Sequence, residues 1–272
     1  MSVPNATIAF FGATGGTACS ALAHALRSGY HCTALARTPE KLHSMLTSEH
    51  KLDASLLTTN LTIIPGHAKD IPAVAKTLIS PLSPTHLVST IFSGIGSLPK
   101  FQVSLLNPIT LTDMSICFDC TTTIFSALEV LREQNISSAV DGRKPLFLFI
   151  STTGLSNKKR DVPFALWPLY RWLLHVPHED KKKSEELLFA DRGGHVRDFV
   201  IVRPTLLTDS EPKGAQSVKA GWEWGLDEAR DGVKELGPML GYSVGRKDVG
   251  EWIFKKCVVE GGWEGRCVSL TY

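Results

Sequence analysis

The residues best suited to chemistry form a glycine-rich segment near the start of the chain, Gly12-Ala13-Thr14-Gly15-Gly16-Thr17-Ala18. The apolar run Thr7 to Phe11 precedes it and a helical pattern follows, so it connects a strand to a helix. In such loops the first glycine permits a tight turn and the second lets the backbone approach a pyrophosphate. A small third residue, here Ala18, lets helix and strand pack. The segment predicts a dinucleotide site at Gly12 to Thr17, where free N–H groups bind phosphates, with a plain turn as the alternative.

The end of the second predicted strand, Ala36-Arg37-Thr38, indicates which dinucleotide is bound. A site for NAD commonly has Asp or Glu there, which binds the ribose 2′-hydroxyl. Arg37 can instead make charge-assisted hydrogen bonds to a 2′-phosphate, and Lys41, one helical turn later, adds positive charge. The sequence therefore favours NADP(H). The alternative is that Arg37 only faces solvent.

The elements that must position these residues alternate along the chain. Apolar runs predict strands at residues 7–11, 31–36, 61–64, 87–92, 146–150, 199–202 and 266–270. Helical patterns lie between them at 17–28, from 38 onward, and at 70–78, 114–133, 178–190 and 248–258. This alternation predicts an α/β, Rossmann-type, doubly wound parallel sheet in a single domain, residues 1–272.

The regular alternation stops after Arg203-Pro204. Residues 210–243 are rich in Gly, Trp and charge, and contain one candidate short helix at 226–233. We expect residues from about 205 to 272 to form a small C-terminal subdomain that closes over the substrate. Trp222 and Trp224 either form an apolar lid there or simply pack in the core.

Composition excludes several classes of function. Of 272 residues, 43% are apolar and 21% charged, and 29 basic against 27 acidic residues give a net charge of +2. This balance gives no reason to expect nucleic acid or a membrane as a partner. No apolar run approaches the roughly 20 residues of a membrane helix, and the N-terminus lacks a signal-peptide pattern, so we expect a cytoplasmic protein.

Other chemical motifs are weak. The pair Cys117 and Cys120 has no second pair and lies in a helical pattern, which favours two plain thiols over a metal or redox site. We expect no metal, because the sequence contains neither a zinc motif nor an acidic cluster. The glycine-rich segment also lacks the Gly-Lys-Ser/Thr ending of an ATP-binding loop.

A set of motifs, taken in chain order, resembles the atypical short-chain dehydrogenase/reductases, and most of all their NmrA-like NAD(P)-binding branch. The motifs are Gly12-x-x-Gly15-Gly16, Ala36-Arg37, Ser151-Thr152-Thr153-Gly154, His178-Glu179-Asp180-Lys181, Val202-Arg203-Pro204 and Gly245-Arg246-Lys247-Asp248-Val249. The resemblance covers nearly the whole chain and is specific for the superfamily rather than for one reaction.

The resemblance implies a cofactor that lies across the C-terminal edge of the sheet. It further implies that Ser93-Gly94 pass near a cofactor ribose and that Ser151, Thr152 and Thr153 lie beside the nicotinamide. Lys181 would approach the nicotinamide ribose, and Pro204-Thr205 would flank the carboxamide.

One departure from the family concerns the proton donor. Typical members carry Tyr-x-x-x-Lys, in which the lysine lowers the tyrosine pKa. Here Leu174 stands four residues after Tyr170, and no other tyrosine matches better. Standard carbonyl reduction is therefore in doubt, although hydride transfer is not excluded.

Other residues could supply the missing chemistry. The hydroxyls of Thr152 and Thr153 could polarise a substrate carbonyl, and Lys181 could bind ribose hydroxyls or act as a proton source. His178 could donate a proton, because imidazole titrates near neutrality. Tyr170 lies in an aromatic-rich stretch that suits a core helix or a binding wall. Each has a structural alternative. The two threonines could cap a turn, and Lys181 could belong to a solvated helix face. His178 could belong to a helix start, and Tyr170 could pack in the core.

Three functions remain open. The first is an NADPH-dependent reductase of a hydrophobic small molecule, such as an enone, imine or ketone of secondary metabolism. The second is a non-redox isomerase or cyclase on the same fold. The third is a redox sensor that binds NADP(H) without turnover. We expect a small-molecule substrate and a monomer or homodimer.

Overall fold

The computed structural model describes residues 6–97, 99–101, 109–166, 175–226 and 232–272. In these ranges the strands are β1 (Thr7–Phe11), β2 (His31–Ala36), β3 (Leu61–Pro65), β4 (Ile79–Ser80), β5 (Ser83–Leu87), β6 (Thr90–Ser93), β7 (Pro99–Phe101), β8 (Ile109–Leu111), β9 (Leu146–Ile150), β10 (Asp198–Pro204), β11 (Leu206–Thr208), β12 (Lys219–Trp224), β13 (Ser243–Gly245) and β14 (Arg266–Thr271). The helices are α1 (Gly16–Arg27), α2 (Pro39–Ser44), α3 (Ala54–Asn60), α4 (Ile71–Leu78), α5 (Ile116–Glu133), α6 (His175–Asp191) and α7 (Arg246–Ile253).

The main sheet has eight strands in the order β12-β14-β10-β9-β6-β1-β2-β3. All neighbours pair in parallel except β12, which pairs antiparallel with β14 at the edge. The chain runs outward from β1 through β2 to β3, then crosses back to place β6 on the other side of β1. This reversal creates a crevice at the carboxyl ends of β1 and β6, where α/β sheets bind ligands. The predicted Rossmann-type fold is confirmed.

The sheet is covered on both faces, which gives two apolar cores. One core contains α1 and α7, and the other contains α4 and α5. The central strand β9 serves both, with Leu146, Leu148 and Ile150 on one face and Phe147 and Phe149 on the other. Its continuous apolar run predicts this double burial.

Helices α1 and α7 pack at very short range. A Cβ on Gly250 would stand 2.4 Å from the Thr17 carbonyl oxygen, and Ser20 Oγ donates a hydrogen bond of 2.8 Å to the Lys247 carbonyl. Only glycine allows this approach. The contact fixes the start of α1, and with it the glycine-rich loop, against the C-terminal part of the chain.

Two of the predicted elements are divided or change type in the structure. Instead of one strand at 87–92, the structure has a small hairpin of β4 and β5 followed by β6, which begins at Thr90. The side chain of Ser89 explains the break, because its Oγ bonds to both the N–H and the carbonyl of Thr7. The predicted helix at 248–258 begins earlier, at Arg246, and becomes a wider π-type turn at Phe254–Glu260.

The tryptophans of β12 pack in the core. Trp222 and Trp224 are buried, and the Arg266 guanidinium lies 4.2 Å and 5.2 Å from their ring centroids. Pairing of β12 with β14 places both indoles on one face and Glu223 on the other. The packing interpretation is thus the one that the structure supports. Most of the candidate helix at 226–233 lies outside the described residues.

The six cysteines are free and buried. Burial raises the pKa of Cys117 to about 12, so its thiol stays protonated and unreactive near neutral pH. This favours the interpretation of Cys117 and Cys120 as plain helical thiols. None of the helices described is long and apolar enough to cross a membrane.

Candidate active site

A cavity of about 340 Å³ opens at the carboxyl ends of β1, β2, β3 and β6. Its walls come from the loops that follow these strands, as expected at the reversal of strand order. The lining residues are Gly12, Thr14, Gly15, Leu35, Ala36, Arg37, Lys41, Gly66, His67, Ala68, Gly94, Ile95, Gly96, Ser97, Thr112, Asp113 and Ile116. The predicted dinucleotide residues Gly12, Thr14, Gly15, Arg37, Lys41 and Gly94 are therefore brought together.

The floor of the cavity requires glycine at Gly12. Its φ is +78°, and a Cβ there would stand 2.8 Å from the carbonyl carbon of Gly94 and from the Ile95 nitrogen. The Gly15 N–H donates to the Gly12 carbonyl oxygen at 2.9 Å, which closes the tight turn. A side chain at Gly12 would push the glycine-rich loop and the loop after β6 apart, and so change the shape of the cavity between them.

The start of α1 supplies the amide groups of this part of the cavity. Gly15 is extended and precedes the first helical residue, Gly16, and the first turn contains no acidic residue. First-turn N–H groups lack partners within a helix, so they are available to an anion. Ala13 and Thr17 are buried, and Thr17 Oγ1 has no hydrogen-bond partner within the described residues. Gly16 packs against the aliphatic part of Arg246.

The small third residue of the loop contacts a different strand from the one that the sequence suggests. A Cβ on Gly94, after β6, would lie 2.8 Å from Ala18 Cβ. Ala18 therefore makes room for the β6 loop as well as for close packing of α1. The same Gly94 position lies 3.4 Å from Ile150 Cδ1, so the cavity adjoins the end of β9.

Positive charge is concentrated at one end of the cavity. Arg37 and Lys41 are both exposed and line it. Among the described residues, no carboxylate lies within 4.0 Å of either cation. On the other side, Asp113 pairs with Lys69 at 2.8 Å, and that ammonium lowers the pKa of the Asp113 carboxyl. Arg37 and Lys41 are thus the cations available to a bound anion.

Sequence reasoning missed eleven of the 17 residues that line the cavity. Gly66 and His67 follow the Pro65 at which strand β3 ends, and the rule that ligands bind at the carboxyl ends of strands could have identified them. The opposite wall has no such signal. There Ser97 Oγ bonds to Thr112 Oγ1 at 2.8 Å and accepts from the Asp113 N–H at 2.9 Å.

A second group of predicted residues lies at the ends of β9 and β10. The Ser151 N–H donates to the Val202 carbonyl at 2.7 Å, and the buried Ser151 Oγ has no hydrogen-bond partner within the described residues. Thr153 is buried and bonds through both N–H and Oγ1 to the Pro204 carbonyl. Thr152 is half-buried. Thr205 bonds to the Leu270 carbonyl, so Pro204 and Thr205 are held by the sheet.

Lys181 reaches this group from α6. Its Nζ donates to the Ile150 carbonyl oxygen at 2.7 Å and lies 5.4 Å from the centroid of the Phe149 ring. Lys181 is therefore beside Ser151, at the strand end that adjoins the cavity. His178 is half-buried one turn earlier on α6.

Asp180 sets the position of Lys181, a role that sequence reasoning missed. Its buried carboxylate accepts the N–H groups of Cys117 and Phe118, each at 2.9 Å. These are free amides of the first turn of α5, so Asp180 caps a helix from 62 and 63 residues away. The cap fixes the position of α6 relative to the start of α5. It therefore also fixes the position of Lys181, the next residue on α6, relative to the end of β9.

Tyrosine does not take the usual place of the proton donor among the described residues. Tyr30 is buried against Phe254, and the Tyr272 hydroxyl donates to Asp248 at 2.5 Å. Tyr170 lies outside the described residues. Ser93 is buried. No group of three or more His, Cys, Asp or Glu side chains in the described ranges could hold a metal ion.

The cavity fits a dinucleotide. Gly12, Thr14 and Gly15 present backbone to the cavity at the start of α1, where helix N–H groups are free to bind phosphate, and Arg37 and Lys41 can pair with an anion. Fold and site together define a Rossmann-fold NAD(P)-binding protein.

No family model matches the chain. Reductase pytE of Aspergillus terreus is 40% identical over 283 residues, which cover 100% of both chains. Oxidase pynE of Aspergillus niger is 37% identical over 297 residues, covering 100% of this chain and 99% of the relative. A Rossmann-fold NAD(P)-binding family protein from Shigella flexneri superposes with a TM-score of 0.55 at 14% identity, covering 98% of this chain and 94% of that one. The likeness to the Shigella flexneri protein concerns the fold alone.

The chain belongs to the family of these two Aspergillus proteins, and it is an oxidoreductase built on an NAD(P)-binding fold.

Proposed function

We propose that this protein is an NADPH-dependent reductase of a hydrophobic small molecule of secondary metabolism, in the NmrA-like branch. The observation that carries the cofactor choice is the pair Arg37 and Lys41 in the cavity beside the glycine-rich loop, with no described carboxylate within 4.0 Å. A guanidinium can bind a 2′-phosphate with two hydrogen bonds, whereas a neutral ribose hydroxyl would gain little from it. The name of Reductase pytE supports the direction of reduction, whereas the more distant Oxidase pynE is named for the reverse direction.

Apolar side chains support a hydrophobic substrate. Leu206 follows Thr205 at the end of β10 and is 62% exposed, as is Tyr242. The two are neighbours, because the Leu206 N–H donates to the Tyr242 carbonyl at 3.3 Å. Exposed apolar surface beside a reactive edge is typical of binding sites. We propose that residues from about 205 to 272 form the substrate side of the single domain.

The bound nicotinamide would supply the hydride, and the chain must orient the substrate and provide a proton. Lys181, already at the end of β9, would bind the ribose hydroxyls, and Ser151 Oγ would find its missing partner in the cofactor. The Thr152 hydroxyl would donate to the substrate oxygen, and His178 would supply the proton. Because Thr153 already bonds to Pro204, we assign it to holding the loop rather than the substrate.

The cofactor preference is tested with the Arg37→Asp variant. We expect its affinity for NADPH to fall by about a hundredfold, since one charge-assisted pair is lost and a repulsive carboxylate is added. Affinity for NADH should stay within about threefold, and calorimetry with both dinucleotides measures this. The control is Arg143→Asp, the same charge change at an exposed arginine outside the cavity. Equal losses for NADPH and NADH would contradict the preference for NADP(H).

The role of Lys181 is tested in the reductase assay itself. The wild-type protein should consume NADPH with an unsaturated carbonyl, imine or ketone, and Lys181→Met should lower kcat by about a hundredfold. Lys182→Met, at the exposed neighbour, is the control and should keep the full rate. If substrate is converted while NADPH absorbance stays constant, the protein is a non-redox enzyme. If the protein oxidises the reduced substrate with NADP but does not reduce the substrate with NADPH, the reaction runs in the reverse direction. Binding of NADP(H) with a protein partner and no turnover would establish a sensor.

A further inference from the structure

A buried ion network joins three elements around the second group of site residues. Arg203 on β10 donates to both oxygens of Glu185 on α6, at 3.0 Å and 2.6 Å, and to Glu223 on β12 at 2.7 Å. Ser156 Oγ donates to the remaining Glu223 oxygen at 2.8 Å. The three charged residues are only 2–5% exposed. We call Glu185, Arg203, Glu223 and Ser156 the Arg203 network.

The Arg203 network buries three charged side chains, and stability alone does not require charged residues at these positions. Burial alone would lower the pKa of Arg203, but Glu185 and Glu223 raise it, so the guanidinium stays charged. Two carboxylates face one cation, and the hydroxyl of Ser156 compensates part of the excess negative charge. Apolar side chains of similar volume often stabilise a core at least as well as a buried ion pair. Directional hydrogen bonds, by contrast, fix the relative positions of the elements that they join.

Two of these elements carry proposed site residues. Glu185 lies one helical turn after Lys181 on α6, so pairing with Arg203 fixes the helix that presents the lysine. Ser156 ends the segment that begins with Ser151 and Thr152. The buried Asp161, which lies after that segment, accepts the N–H groups of Gly154 at 2.7 Å and Ser156 at 3.3 Å. The Arg203 network therefore links the helix that carries Lys181 to the segment that carries Ser151 and Thr152.

We propose that Ser156 and Glu223 are positioning residues that hold the segment 151–156 in register with Lys181 for hydride transfer. This inference rests on the proposed reductase function. Neither residue lines the cavity that contains Gly12, Arg37 and Lys41, so they act on the nicotinamide and substrate side of the site and leave that cavity unchanged. A small displacement of reacting groups can lower a rate by a hundredfold without loss of the fold.

The test uses Ser156→Ala and Glu223→Gln in the full-length protein. Hydrogen–deuterium exchange of residues 151–161 should accelerate in both variants, while the glycine-rich loop exchanges as in the wild type. With NADPH and a turned-over substrate, kcat should fall about ten- to hundredfold, and the NADPH dissociation constant should rise by a much smaller factor, because the cavity at Gly12 and Arg37 is unchanged. Ser156→Thr retains the hydroxyl and should restore both exchange and kcat. Ser217→Ala removes a half-buried serine hydroxyl elsewhere and is the control.

The outcomes separate this inference from the proposed function. Unchanged exchange at 151–161, or an unchanged kcat despite faster exchange, overturns the positioning role. A loss of NADPH affinity as large as the loss of kcat, with faster exchange at the glycine-rich loop, also overturns it, because the variants would then have loosened the whole protein. If the wild-type protein never consumes NADPH, the proposed function fails, and the exchange data alone decide whether the network holds the segment.

Discussion

The Gly12→Ala variant is expected to bind NADPH about ten- to a hundredfold more weakly than the wild type. Its new Cβ would stand 2.8 Å from the Gly94 carbonyl carbon and the Ile95 nitrogen, closer than such atoms can approach. The loop after β6 must then move away, and the turn closed by the Gly15 N–H must open. A strained φ of +78° adds about 1–3 kcal/mol to the cost in the folded state. Calorimetry for NADPH and thermal unfolding measure the two effects.

The matched control is Gly142→Ala. Gly142 has a φ of +76°, and nothing lies within 4 Å of the position that its Cβ would occupy. This variant therefore has the same backbone strain without the clash. It should lose about 1–3 kcal/mol of stability from the strain alone, less than Gly12→Ala, and no NADPH affinity. If both variants lose affinity equally, backbone strain rather than the cavity geometry is responsible, and our account of the site is wrong.

The second large effect concerns stability. We expect Arg203→Met to destabilise the protein by about 3–5 kcal/mol, because Glu185 and Glu223 would remain buried without their cation. Methionine has a similar reach, so the loss comes mainly from uncompensated charge rather than from a cavity. Urea unfolding, with the free energy extrapolated to water, is the measurement.

Two further variants separate charge from packing. Arg143→Met removes an exposed arginine and should change stability by less than about 0.5 kcal/mol. Replacing Glu185 and Glu223 by leucine together with Arg203→Met should recover most of the lost stability, since no charge then remains buried. A triple variant as unstable as Arg203→Met would show that shape, and not charge, dominates at this site.

Several elements could be predicted because the signals are local. The alternation of apolar runs with helical patterns identifies the strands from β1 to β3, as well as β9, β10 and β14, within one or two residues. The turn at Gly12 and the cations at Arg37 and Lys41 were predicted by the same kind of short-range pattern. The structure brings these residues to one cavity.

Other elements could not be predicted, because their signals are ambiguous or absent. The alternation of Trp222, Glu223 and Trp224 is compatible with a lid or an edge strand, and only pairing with β14 distinguishes them. The sequence marks Asp180 as part of a motif, but nothing near it indicates that it caps α5. Asp113 joins the cavity wall through Lys69, a contact that no motif encodes.

By itself, therefore, the sequence determined the class of fold, the glycine-rich loop and the positive charge at the end of β2. Each of these depends on residues that are close together along the chain, where propensity and spacing act directly. The tertiary structure alone decided the opposite wall of the cavity, the placement of Lys181 by Asp180, and the network around Arg203. Those features depend on contacts between segments that are far apart in the sequence. Which charged side chains become buried between such segments depends on how the whole core packs.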